Sequence, residues 1–153
     1  MKTWIKVALV SALFAVPAMV LGQLIWPPDP ANPTPSSGQL PFFILLSVFE
    51  ATAFGLGISF LLFGFRPLLR LARGSRLRAW AMYLSIGWFL VSWWPHDNLH
   101  LHNGFDLQGL LYIEYGFHVT LIVAALVLAF SLLTMLKPAE SGGETGGRAA
   151  RVR

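Results

Sequence analysis

The chain has no cysteine, which excludes a disulfide framework and any thiolate metal site. It is also short of charge. Asp, Glu, Lys and Arg make up 12% of the residues against 56% hydrophobic ones, a balance foreign to a soluble domain. Basic residues are missing from two long stretches, between Lys6 and Arg66 and between Arg78 and Lys137. The formal net charge of +4 is therefore gathered at a few points, which reads as membrane topology and not as a nucleic-acid footprint. Common catalytic signatures are absent as well. There is no HExxH, no glycine-rich phosphate loop, no GxSxG and no Cys/His finger.

Apolar runs of transmembrane length fill the rest. They predict an all-α membrane protein, a four-transmembrane-helix bundle with spans at 5–26, 41–65, 79–94 and 107–136. Pro17 lies inside the first run and predicts a bend or break there. The same run resembles a secretory signal, with a basic start and small residues around Ala18 and Gly22, where a cut is conceivable. Its apolar continuation through Leu24, Ile25 and Trp26 favours a retained helix ending in an interfacial tryptophan.

The connections carry the topology. A linker at 27–40 is rich in proline and predicts extended, partly polyproline backbone. The segment 66–78 holds five arginines and no acid, which places it in the cytoplasm and with it both termini, N-in and C-in. Leu68, Leu69 and Leu71 add a partial amphipathic turn lying on anionic lipid. An outer loop at 95–106 carries most of the histidines, and Asp106 is placed to cap the helix that follows. The tail 139–153 is rich in glycine and charge and predicts a disordered cytoplasmic segment. On the second span, Ala51, Gly55 and Ser59 form one small-residue row and Ala53 with Gly57 another, so this face is a candidate for close helix approach to a membrane partner or a second copy.

The chemistry-capable residues concentrate in one region, Trp93-Trp94-Pro95-His96-Asp97-Asn98-Leu99-His100-Leu101-His102-Asn103-Gly104, with Glu114 and His118 just beyond. Glu114 and His118 are four apart and share a helix face. Glu50 lies about 13 Å into its own span at helical rise, a depth that allows it to meet Glu114 and His118. His96 and His100 converge if their stretch is helical, and His100 and His102 converge if it is extended. No regular element aims all three at one point, so two loop histidines are expected at a site and the third on solvent or backbone. Carboxyls inside spans that hold no lysine or arginine must stay protonated, pair with His118 or bind a metal.

The candidate metal ligands are therefore His96, His100, His102, Glu114 and His118, with Asp97 orienting an imidazole from behind and Glu50 as general acid or base. Imidazole and carboxylate suit a divalent metal, Zn, Fe, Mn or Cu(II). The spacing His96-x-x-x-His100 is similar to one histidine box of membrane di-iron hydroxylases and desaturases; the further boxes of those enzymes are not in this chain, and nothing of their activity is carried over. Only His118 lies within a span, which does not suit bis-histidine haem. Three functions fit these residues: an accessory or partner-binding membrane subunit, which leads; a metal-dependent enzyme acting on a lipophilic substrate at the outer leaflet; and an ion- or proton-binding transport component. The expected surroundings are membrane lipids, in a multi-pass cell-membrane protein with its histidines on the periplasmic or extracellular side.

Overall fold

The computed structural model describes residues 2–136. The tail 139–153 lies outside the described residues. Among those described, 82% are helical and none is in a strand. The helices are α1 (Thr3–Ile25), α2 (Leu40–Phe63), α3 (Phe65–Leu71), α4 (Arg76–Val91), α5 (Trp93–Asn103), α6 (Leu107–Ile113) and α7 (Thr120–Leu136), with a π-helical stretch, Glu114–Val119, joining the last two. Three rods are long and apolar enough to cross a membrane: Thr3–Ile25, Leu40–Phe63 and the continuous Leu107–Leu136. This is the make-up of a multi-pass membrane protein. At 16 residues, α4 is shorter than a full crossing requires.

Pro17 does not break α1, which runs through it as one helix of 23 residues. Proline costs less in an apolar rod packed on neighbours that re-satisfy the freed backbone. The first two helices form an antiparallel pair held by small residues. Ser11 and Ser59 share a hydrogen bond of 2.9 Å, and the Ser59 hydroxyl also lies 3.1 Å from the Val7 carbonyl, to which it can donate. A methyl group at Gly55 would lie 2.3 Å from the Ser11 carbonyl oxygen, and one at Gly57 would lie 2.6 Å from Val91. The small-residue rows of α2 thus pack within the chain, Gly55 against α1 and Gly57 against α4. A partner or second copy has to use another face.

At the end of the bundle carrying α3, the arginine end, Phe65, Trp80 and Tyr83 pack ring on ring at 4.5–5.5 Å. Leu68, Ala72, Ala79 and Met82 are buried beneath them. The segment predicted as an arginine loop is therefore partly helical, because Leu68 gains a buried seat. Arg73 at φ 52° and Gly74 at φ 80° make the turn into α4, whose first turn is capped by Ser75. Arg73 reaches across to the Met135 carbonyl at 3.3 Å and ties α4's start to the end of α7.

The opposite end differs most from expectation. The stretch 95–106, predicted as a loop, is helical from Trp93 to Asn103. Pro95 has no N–H to offer the Val91 carbonyl, so α4 ends at that residue. A proline in the first turn of a helix is well tolerated, however, and α5 restarts at Trp93. Asn98 and Asn103 each donate to a carbonyl four residues back, Trp94 and Leu99, at 2.7 and 2.9 Å. Asp106 caps α6 as expected, its carboxylate accepting from the Gln108 amide at 3.1 Å.

Candidate functional site

Helical geometry in α5 decides which histidines meet. His96 and His100 stand one turn apart, and their ring centroids are 4.6 Å apart. The His118 ring comes in from the π-helical stretch, 4.8 Å from that of His96. A π-turn inserts an extra residue into the helix and commonly marks functional positions; here it carries both Glu114 and His118. Their expected pairing is present, with the His118 ring hydrogen-bonded to the Glu114 carboxylate. The other oxygen of Glu114 lies 3.5 Å from His100 Nε2. Two imidazoles thus meet one carboxylate, and the third ring, His96, packs against both of them.

His96 is the buried member, only 7% exposed. Its ring edge meets Phe117 at 5.4 Å and Trp93 at 6.0 Å. Nδ1 donates to the Asp97 carboxylate at 3.0 Å, while Nε2 is buried without a hydrogen-bond partner. Burial acts to raise the Asp97 pKa, but the hydrogen bond from His96 and the neighbouring Glu50 and histidines prevail and hold it below the usual aspartate value. His100 is pushed the other way for a base: burial first, then the neighbouring His96, lower its pKa against the opposing pull of Glu114 and Asp97.

Glu50 does not join Glu114 and His118. It faces Asp97 in a cavity of about 350 Å³ that is also lined by Phe43, Ser47, Trp94, His96 and His100. Depth along the helix was a sound guide, but direction was not: α5 folds over α2 and presents Asp97 to Glu50 before any residue of α6 or α7 can reach it. His102 also stands apart. A two-residue step from His100 turns it about 200° around the helix, and its Nδ1 donates to the Pro27 carbonyl at 2.7 Å, pinning the proline-rich linker. The linker is held again by the Asp29 amide, 2.9 Å from the Leu101 carbonyl.

Two supporting residues were not picked out from the sequence as part of the site. Trp94 donates from its indole to the Ala18 carbonyl at 3.0 Å and packs on Phe54 and Trp26, so it seats α5 on α1 and α2. Phe117 stacks on Trp88 at 5.8 Å and walls the His96 ring. The place of Trp94 beside the polar stretch was the available signal; nothing in the sequence marked Phe117.

As the side chains stand, Glu114 and His118 are bonded to each other, and among the described residues no three His, Asp or Glu side chains aim their donors at one point suited to a metal ion. Comparison with protein-family models, with curated proteins and with solved structures returned no match for the chain.

Proposed function

We propose that the chain is an accessory, partner-binding membrane subunit that crosses the bilayer four times, N-in and C-in, with its histidine and carboxylate residues at the outer face. The five arginines of 66–78 support the orientation by the positive-inside rule. They sit at the opposite end of the bundle from His96, His100 and His118. The short α4 completes the fourth crossing together with the start of α5.

The observation carrying the partner-binding reading is where the polar pair lies. Glu114 and His118 are 47% and 44% exposed on the flank of a rod long and apolar enough to cross a membrane. Counting about 20 residues of hydrocarbon back from the Arg73–Met135 contact puts them near the outer boundary of the apolar layer. Polar groups on the flank of a membrane helix ordinarily face a bundle interior or another helix. Gly116, two residues from each, is turned to the other side of the same rod, and a methyl group there would meet nothing within 4 Å. A second helix can approach closely at this position.

The transport reading is weaker. No Asp, Glu, Lys, Arg or His follows Glu50 in α2 or His118 in α7, so no relay continues through the bundle.

The absence of native cysteine makes the test direct. Gly116→Cys in native membranes is expected to cross-link to a partner or to a second copy; the unsubstituted chain is expected to run as a larger species on native gels, and Gly116→Trp to remove it. Gly38→Trp, also into open space, is expected to leave that species intact. A monomer in every case, with no cross-link, would overturn the reading.

A further inference from the structure

We propose that His96, His100, Glu114 and His118 form a binding site for a divalent first-row transition-metal ion, held by three imidazoles and one carboxylate. The argument begins with the buried ring. Asp97 can only accept, so the His96 proton sits on Nδ1 and the Nε2 lone pair is left without a partner in a buried position. A carboxylate behind an imidazole whose other nitrogen is free is the arrangement that orients a histidine toward a metal.

One donor pair already has the spacing an ion requires. Two donors each about 2.0–2.2 Å from a tetrahedral ion stand roughly 3.4 Å apart, and His100 Nε2 lies 3.5 Å from Glu114 Oε1. The His96 ring is within 4.6 Å of the His100 ring and 4.8 Å of the His118 ring. His118 is already on the second oxygen of Glu114. An ion entering here replaces the Glu114–His118 hydrogen bond, and the two side chains that must turn to admit it are the half-exposed ones. Three neutral imidazoles and one carboxylate partly neutralise a divalent charge, and a nitrogen and oxygen donor set suits Zn²⁺ or its first-row neighbours. His102 is outside the site because the Pro27 carbonyl holds it. The inference is independent of the partner-binding reading: it concerns the single chain and is tested on it.

The experiment uses the full chain in detergent, with Zn²⁺ as the probe in equilibrium dialysis and Co²⁺ as a spectroscopic probe of geometry. One Zn²⁺ per chain is expected, with Co²⁺ giving the intense visible bands of a four-coordinate ion. His100→Ala and Glu114→Gln are each expected to weaken Zn²⁺ binding by at least tenfold, and His102→Ala to leave it unchanged. Asp97→Asn, a positioning change, should weaken binding on the order of 10- to 100-fold while the Co²⁺ bands remain four-coordinate. Circular dichroism confirms that each variant keeps its helix content. No Zn²⁺ uptake by folded protein, uptake unaffected by His100→Ala and Glu114→Gln, or equal loss in His102→Ala would overturn the site.

Discussion

The two ends of the bundle are built from similar helices and differ in what they bury. At the arginine end the buried residues are mostly apolar, Leu68, Ala72, Ala79 and Met82, under a ring cluster of Phe65, Trp80 and Tyr83, and the buried Ser131 hydroxyl donates to the Val127 carbonyl. At the histidine end the buried set includes Ser92 and His96, and the two buried polar side-chain atoms without partners among the described residues, Ser92 Oγ and His96 Nε2, both lie there. An unpaired buried polar atom costs about 1–3 kcal/mol. The fold carries that cost only at the end where imidazoles and carboxylates collect. One end is packed apolar surface, and the other gathers ionisable side chains.

The largest expected effect belongs to the scaffold that both ends share. Gly55→Leu drives a side chain into the Ser11 carbonyl and Ala15, which are backbone and close neighbour and cannot yield. Overpacking of this kind costs about 1–3 kcal/mol and occasionally more. The expected result is loss of folded protein at both ends together, read by detergent-resistant yield and circular dichroism. Wild-type yield would show that α1 and α2 are not packed through this row.

Trp94→Ala separates the ends. It removes the indole bond to Ala18 and the packing on Phe54 and Trp26, a change of about 3–5 kcal/mol for a large aromatic truncated to alanine. Faster hydrogen exchange is expected in α5 and the linker, with α3 and the start of α4 unchanged. Trp80→Ala is expected to give the reverse pattern. If either variant loosens both ends equally, the bundle is one cooperative unit and its two ends are not independent.

The smallest effect is that of pH, because His100 is only partly buried. Its folded pKa lies below the ordinary 6.5, so the unfolded chain takes up a proton first as pH falls. Stability should therefore decline as pH drops from 6.5 to the lowered folded value, then stop responding to this group. Asp97 works in a separate window: its depressed pKa contributes stability above the ordinary 3.8, lost only as pH falls through the lowered value. Thermal unfolding of metal-free protein from pH 7.5 to 5.5 is expected to be steeper for the wild type than for His100→Gln. Equal slopes would remove His100 from the account.

Much of this arrangement was legible in residue order. Apolar length marked α1, α2 and the Leu107–Leu136 rod, the Asp106 cap was a local signal, and the Glu114–His118 pair followed from a spacing of four. These depend on neighbours in sequence, where helical periodicity is a reliable ruler. The expectation that one loop histidine would leave the others for backbone also holds, in His102. What was not legible depended on direction between elements. The stretch after Pro95 is helical because Trp94 finds a seat on α1 and α2. Glu50 meets Asp97 because α5 lies over α2. The small rows of α2 serve α1 and α4 because those helices are the ones at hand.

By itself the sequence determined a cysteine-free, helical, membrane-length chain with its arginines and its histidines gathered in separate stretches, since composition and periodicity act within a single helix. Only the tertiary structure decided that His100 and His118 meet at Glu114 with the His96 ring against both, that His102 pins the linker and that His96 Nε2 is buried without a partner. Those relations join α5 to the π-turn and to the linker, and the rotation of one helix against another is set by side-chain packing across the gap between them, which no repeat along the chain encodes.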